Sequence, residues 1–486
     1  MTRLTKIACA TLILAACGDS QEADNASEVP GETSSGGSTT MTTSGCETAC
    51  TNDPQGGSDT GNTSTPMPST GQSGSTGDTG GSTGTETGGS MPATPLIGDA
   101  LSCAGPQEPN PGPGDALKKI VLQDPEALCN DGTPAVIFVR EAAAPEFEDD
   151  WVIFMQGGGN CQDAEGCAER WCTLGHRMTS SLAPDAIWGI GVLDRDVANP
   201  LGAYNQVFIQ YCSSDNYIGR ADDTVFASGR EFPEYRVHFK GNAITNAVAD
   251  LLETGAASDD GTEVLPPLQG AGEVVLAGGS AGCAGVAFQA DRLTSRFSAT
   301  GKNMRLICDG NFPPNEVDLG LESLPPDAIS RLEEEYLARV MNHDALFDET
   351  CVAGEAEEPW RCATPRQVLG QYIEGAPLFL RMDLRDSAAL SQYLAFGLNP
   401  QEFSDAVRNG LGSAFLGGGN PGTPISVYGP NCQSHVALNS NPGYFDWQLD
   451  VGDGPQTFAD LVGRWIDGET IVAIDPGTNS SGPGCQ

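Results

Sequence analysis

A chain of 486 residues exceeds the usual span of one domain, so it holds either two domains or one large domain with unstructured ends, and the composition selects the second. It carries 65 acidic against 24 basic side chains, a formal net charge of −41, and from residue 99 onward the balance is 55 to 22, a net of −33. A surface this negative repels polyanions, which excludes nucleic acid as a partner and excludes attachment to an anionic membrane by charge.

Met1 to Cys17 holds Arg3 and Lys6, an apolar run from Ile7 to Leu14, and then Leu14-Ala15-Ala16-Cys17, the pattern of a bacterial lipoprotein signal cut before its cysteine. Residues 1–16 are read as that signal and Cys17 as the lipidated first residue of an exported, outer-membrane or cell-surface lipoprotein. An ordinary signal cleaved near the same place is the alternative, and it exports the chain equally. The apolar run is too short to span a bilayer and no later run reaches spanning length, so membrane contact is expected through the lipid alone. Residues 17–95 are Ser, Thr, Gly and Pro with scattered acids, and no Lys or Arg occurs between Lys6 and Lys118. Such a segment cannot bury enough apolar surface to offset its ordering entropy, so it is read as a flexible tether. Residues 96–486 are mixed and apolar enough for one large core, with a monomer expected.

Of 16 cysteines, Cys9 lies in the signal, Cys17 is the lipid site, Cys46 and Cys50 lie in the tether, and the other 12 lie in the domain. In an exported protein that even number predicts disulfides. Cys161, Cys167 and Cys172 have the wrong spacing for a zinc finger and only His176 nearby, and the four histidines at 176, 238, 343 and 435 form no i,i+4 pair, so no metal is expected.

Within the domain, apolar β-branched runs predict strands at Trp151–Met155, Val207–Tyr211, Glu273–Ala277, Met304–Cys308, Pro377–Arg381 and Pro424–Tyr428. Helical patterns fall between them at Gly241–Leu252, Ala284–Leu293 and Pro326–Asn342, with Thr457–Ile466 as a closing helix. Strands apolar on both faces and separated by helices predict an α/β fold with a mostly parallel sheet covered on both sides.

The first of these strands runs into Gln156-Gly157-Gly158-Gly159-Asn160-Cys161, whose glycines expose backbone N–H groups able to hold an oxyanion together with the N–H of Ala281. The third runs into Gly278-Gly279-Ser280-Ala281-Gly282, a G-x-S-x-G turn from strand to helix that lifts a serine hydroxyl above the sheet. Gly80 to Gly84 in the tether fits the same pattern around Ser82, but no strand precedes it and no helix follows. A serine needs a base, and the base an acid that fixes its tautomer. His435 follows the last predicted sheet strand in Gly429-Pro-Asn-Cys-Gln-Ser-His435, while His176, His238 and His343 suit packed or surface roles better. The strand Pro377–Arg381 leads to Asp383 and Asp386, either of which could serve as the acid. The resulting order of serine, aspartate and histidine is that of α/β-hydrolases.

With these residues assembled, the domain resembles the pectin acetylesterase family, which takes in Notum-like serine carboxylesterases. The resemblance runs from about Cys129 to His435 and rests on Cys129-Asn-Asp-Gly-Thr-Pro, Trp151-Val-Ile-Phe-Met-Gln-Gly-Gly-Gly-Asn-Cys161, Cys167, Phe208-Ile-Gln-Tyr-Cys-Ser-Ser-Asp215, Gly279-Ser-Ala-Gly282, Pro377-Leu-Phe-Leu, Asp386 and Cys432-Gln-Ser-His435. It implies an α/β-hydrolase-like fold and a triad of Ser280, Asp386 and His435, which favours Asp386 over Asp383. It also implies an oxyanion hole of Gly158, Gly159 and Ala281, and disulfides Cys161–Cys167, Cys129–Cys212 and Cys351–Cys362. A Cys283–Cys308 bond is a further expectation, outside the resemblance. Gln156 stands where the family usually has an acid, Asn160 where it often has an aromatic, and Cys283 replaces a glycine. The first two are expected near the substrate entrance. The expected activity is hydrolysis of acyl esters, acetyl groups on a polysaccharide above all, without a cofactor. A Notum-like deacylase of lipidated peptides or small acyl esters is the second reading, and a non-catalytic surface binding lipoprotein the third.

Overall fold

In the computed structural model the described residues are 93–103, 116–298, 303–322, 325–395, 398–416, 424–452 and 454–485. The signal, Cys17, the Cys46 and Cys50 pair and nearly all of the expected tether lie outside them.

Ten strands form one sheet: β1 (Ala116–Val121), β2 (Val136–Arg140), β3 (Asp150–Met155), β4 (Ala186–Trp188), β5 (Asn205–Ile209), β6 (Glu273–Gly279), β7 (Asn303–Asp309), β8 (Leu378–Arg381), β9 (Ile425–Gly429) and β10 (Val472–Ile474). Their order across the sheet is β10-β9-β8-β7-β6-β3-β5-β2-β1-β4. The run from β10 to β5 is parallel, and β2, β1 and β4 close one edge antiparallel. The chain passes from β3 to β5 on one side and returns to β6 on the other side of β3, which puts the ends of β3 and β6 side by side, with the rest of the site after β7, β8 and β9 beyond them.

Successive residues of the central strands enter two separate cores. Ile153 and Met155, Val274 and Leu276, Leu306 and Leu380 point to one side, where α2 (Gly241–Thr254) and α3 (Ala281–Ser298) pack; Val152 and Phe154, Val275 and Ala277, Ile307 and Phe379 point to the other, under α6 (Phe458–Ile466). A strand buried on both faces has no polar alternation, which is why the sequence shows continuous apolar runs. The fold is the expected mostly parallel α/β arrangement. Three further helices matter for the site: α1 (Ala164–Leu174), α4 (Pro326–His343) and α5 (Ser387–Ala395).

Among the described residues six disulfides join Cys103–Cys172, Cys129–Cys212, Cys161–Cys167, Cys283–Cys308, Cys351–Cys362 and Cys432–Cys485. The three implied by the resemblance and the fourth expected pair are among them. Cys103–Cys172 and Cys432–Cys485 complete the expected pairing of the 12 domain cysteines, with partners the sequence left unassigned, and the second ties the His435 loop to the segment after β10. No helix among the described residues is long and apolar enough to cross a membrane, and no cluster of three or more metal-ligating side chains occurs among them.

Candidate active site

At the end of β6 the chain must turn into α3 within one residue, and Ser280 makes that turn at φ +54°, a left-handed conformation costly for any residue with a Cβ. Two neighbours are glycine because backbone crosses there. A Cβ on Gly278 would sit 2.3 Å from the Gly282 carbonyl oxygen, and one on Gly282 would sit 1.9 Å from that of Met155. The Ser280 N–H donates to the Asp309 carbonyl (2.8 Å) and its own carbonyl accepts from Asn311 Nδ2 (3.1 Å), which pins the strained residue to the end of β7.

His435 lies in the loop after β9, its side chain 20% exposed. Its Nε2 is 2.8 Å from Ser280 Oγ and its Nδ1 is 2.9 Å from Asp386 Oδ2. Asp386 is fully buried, and its Oδ1 accepts from the backbone N–H groups of Ala388 (3.0 Å) and Ala389 (2.9 Å) at the start of α5. One carboxylate thus caps a helix and orients an imidazole. With Nδ1–H donating to Asp386, Nε2 is the acceptor that faces the serine hydroxyl. A serine held this way can add to a carbonyl carbon while the imidazole takes its proton.

Asp383, the other candidate acid, is turned away. Arg381, fully buried at the end of β8, donates from Nη2 to Asp383 Oδ1 (2.8 Å) and from Nη1 to Asp309 Oδ1 (2.5 Å). Asp309 Oδ2 accepts the N–H groups of Ala437 (2.6 Å) and Leu438 (2.8 Å), so this buried group anchors the loop that carries His435. Neither Asp309 nor Arg381 was singled out from the sequence. The available signal was a charged residue at the C-terminal end of each of two strands.

Burial pushes the Asp383 carboxyl up from 3.8 to about 7, against the pull of Arg381 and helped by the nearby Asp386 charge. The folded state therefore holds this proton more tightly than the unfolded chain, so the group's stabilisation is full below pH ~4 and lost as pH rises towards ~7. Asp383→Asn keeps the acceptor for Arg381 and cannot ionise. Relative to the parent it should gain stability between pH 4.5 and 7.5, on the order of 1 to 3 kcal/mol, in urea melts at the two pH values. Its turnover at pH 7 should stay within about threefold of the parent's, because Asp386 carries the contact to His435. Loss of turnover with an intact fold would reassign the acid.

The glycine loop lies against the serine turn: a Cβ on Gly157 would be 2.4 Å from the Gly279 carbonyl oxygen. Gly158 (φ +137°) and Gly159 (φ +70°) adopt conformations open to glycine. The N–H groups of Gly158, Gly159 and Ala281 donate to no protein acceptor among the described residues. Gln156 is committed elsewhere, its Oε1 accepting from the Tyr211 N–H (2.9 Å) so that the side chain joins the ends of β3 and β5. Asn160 is half-buried at the loop's exit. His343 is buried with Nε2 2.8 Å from the Cys161 carbonyl oxygen, and burial holds it neutral, down to about 3. His238 lies in the strand Tyr235–Phe239.

The motif Phe208 to Asp215 is bonded to both ends of the glycine loop, the Ser214 carbonyl accepting from the Cys161 N–H (3.1 Å) and the Tyr211 N–H donating to Gln156 Oε1 (2.9 Å). Asp215 is fully buried and accepts from Ser213 Oγ and from the N–H groups of Tyr217, Gly219 and Gly241. These bonds hold Ser214, Asn216 and Tyr217 at positive φ.

The family profile described as pectinacetylesterase matches residues 114–408, a span that includes Ser280 and Asp386 and stops short of His435. The chain is 28% identical over 340 residues to the palmitoleoyl-protein carboxylesterase NOTUM of Drosophila melanogaster, covering 67% of this chain and 46% of that protein. It is 32% identical over 283 residues to notum1a of Danio rerio, which carries the same description, covering 57% and 51% respectively. The chain thus spans about half the length of the curated relatives it matches. Among solved structures, the Wnt deacylase Notum from Drosophila aligns with a TM-score of 0.58 at 22% identity, covering 76% of this chain and 99% of that one, and shares the α/β-hydrolase fold. With the profile matched over more than half its length, the chain belongs to the pectinacetylesterase family.

Proposed function

We propose that this protein is an exported, lipid-tethered serine esterase that hydrolyses acyl esters, acetyl groups on a polysaccharide first among them. The observation that carries the reading is the hydrogen-bonded chain from Ser280 through His435 to Asp386, on a serine held at positive φ. Ser280 Oγ adds to the ester carbonyl carbon as His435 Nε2 takes its proton, and Asp386 stabilises the imidazolium. The amides of Gly158, Gly159 and Ala281 receive the oxyanion. Collapse expels the alcohol, protonated by His435, and leaves an acyl group on Ser280. Water, deprotonated by the same imidazole, then releases the acid. The cycle calls on no metal and no cofactor. Asn160, at the loop's exit, is the proposed contact for the substrate beyond the acyl group, with Gln156 shaping that edge from beneath. Export and lipidation at Cys17 rest on the N-terminal sequence pattern.

The net of −33 from residue 99 onward disfavours a polyanionic glycan and favours a neutral acetylated one, although screening confines that preference to distances within about 8 Å at physiological salt. A deacylase of lipidated peptides is the second reading, and it is supported by the description of the animal relatives as palmitoleoyl-protein carboxylesterases.

A fluorophosphonate probe with mass mapping tests the class: an adduct on Ser280 is expected, and an unlabelled native protein would leave the binding lipoprotein standing. A series of p-nitrophenyl esters then ranks the two enzymatic readings. Acetyl preferred over butyryl and long-chain esters, with kcat/KM falling at least about tenfold along the series, supports the first; the reverse order supports the second.

A further inference from the structure

We infer that Arg170 and Arg177 are positioning residues that aim the oxyanion-binding amides, a deepening that rests on the esterase reading above. Arg177 Nη1 donates to the Gly157 carbonyl oxygen (2.7 Å), and Arg170 Nη1 donates to the Gly158 carbonyl oxygen. The described residues contain no cis peptide bond, and in a trans peptide the C=O and the following N–H point in opposite directions. Holding the Gly157 oxygen on one side of the loop therefore sends the Gly158 N–H to the other, and holding the Gly158 oxygen does the same for the Gly159 N–H. These are the two loop amides assigned to the oxyanion.

Glycines at φ +137° and +70° have no Cβ to bias their peptide planes, so the loop's own chemistry does not fix which way those planes face. The arginines supply that bias, and both also pack on the glycines. A Cβ on Gly158 would fall 2.4 Å from Arg177 Cδ, and one on Gly159 would fall 3.4 Å from Arg170 Nη1. A cation at each carbonyl oxygen also polarises its peptide, which strengthens the N–H on the far side as a donor.

The rest of the structure holds Arg170 rigid. It is 6% exposed, its Nε donates to Ser214 Oγ (2.8 Å), and its guanidinium lies over the Tyr211 ring at 5.8 Å. Its helix, α1, is stapled by Cys161–Cys167 to the residue that ends the glycine loop and by Cys103–Cys172 to the segment before β1. Arg177 follows on the short helical turn Gly175–Arg177. In a chain with 24 basic residues, two are given to adjacent carbonyl oxygens at the site where negative charge must develop. An amide aimed in advance stabilises that charge with no reorganisation during the reaction.

The test uses the full chain with Arg177→Met, Arg177→Lys, Arg170→Met and Arg170→Lys. Arg177 is half-buried, so its variants keep the question open to experiment even if Arg170→Met does not fold. Turnover of p-nitrophenyl acetate is compared with inhibition by a trifluoromethyl ketone. Ser280 Oγ adds to the carbonyl carbon of that ketone, its proton passes to His435, and the negative charge comes to rest on the former carbonyl oxygen. Arg177→Met should lower kcat about 10- to 100-fold with KM within about twofold, and the ketone's Ki should weaken in proportion to kcat/KM. Arg177→Lys should recover part of both, while Tm stays close to the parent's. A folded Arg177→Met protein whose kcat and Ki stay within about twofold of the parent's overturns the role of the clamp. So does a loss confined to KM. A parent protein that never reacts at Ser280 overturns the esterase reading and this inference with it, so the two failures are distinguishable.

Discussion

Ser280→Ala should reduce kcat for p-nitrophenyl acetate by about 10⁵- to 10⁶-fold and abolish fluorophosphonate labelling. The size follows from what the hydroxyl does. Without it His435 has no proton to take and the acyl group has no covalent resting place, so the two-step path disappears. What remains is water attacking an ester polarised by the loop amides, worth about 10³- to 10⁴-fold over the uncatalysed reaction. The variant should fold normally. The bonds that hold the turn come from backbone: the residue's N–H to the Asp309 carbonyl, and its carbonyl to Asn311 Nδ2 and the Ala284 N–H. Alanine pays the same left-handed penalty as serine, so Tm should move little. A purified, folded Ser280→Ala protein retaining more than about 1% of parental turnover would show that another group is the nucleophile.

The sheet was readable wherever a strand is buried on both faces, because an apolar run is then the whole signal. It was less readable where polar residues enter the strand. Strand β5 begins at Asn205 and ends at Ile209, two residues earlier than its apolar run, because Asn205 and Gln206 are buried and satisfied. Asn205 Nδ2 donates to the Glu148 and Asp150 carbonyls, and Gln206 Oε1 accepts from Arg140 Nε. The antiparallel edge strands β1, β2 and β4 were not expected, and β1 carries Lys118 and Lys119 in a pattern with no clean alternation. At the site, Ser280 and His435 were legible from local context, since each follows a strand in a loop that a core would not tolerate. Asp383 and Asp386 could not be separated by spacing. Their fates are decided by Arg381, a residue near Asp383 in sequence, and by Asp309, which is 72 positions before Arg381 and reaches it only because β7 and β8 pair in parallel. The arginines that hold the glycine loop were illegible for another reason: their partners are carbonyl oxygens, which every residue possesses and no sequence marks.

Asp386→Asn is the more discriminating test of the assembled site, and its outcome follows from the capping bonds. Oδ1 of Asp386 accepts the Ala388 and Ala389 N–H groups, and an asparagine keeps those bonds only with its own oxygen in that place. Its NH₂ must then occupy the position of Oδ2, which lies 2.9 Å from His435 Nδ1. His435 Nδ1 also lies 3.0 Å from Oδ1, but that oxygen already serves two backbone amides and the new NH₂ opposes Nδ1–H, which favours the tautomer in which Nδ1 accepts and Nε2 carries the proton, aimed at Ser280 Oγ 2.8 Å away. The base is then already protonated where it should accept, and imidazolium loses its buried counter-charge. The expected result is a fall in kcat of about 10⁴-fold at pH 7 with KM little changed. Helix α5 should remain, since its cap survives, and Tm should shift by only a few degrees, consistent with a loss of about 1 kcal/mol or less. Asp386→Ala removes cap and orienter together, so it should match the loss in kcat and add about 1 to 2 kcal/mol of destabilisation in urea melts. If Asp386→Asn leaves kcat within about tenfold of the parent, the tautomer of His435 is set by something other than this carboxylate, and Asp386 is a helix cap that happens to stand beside the base.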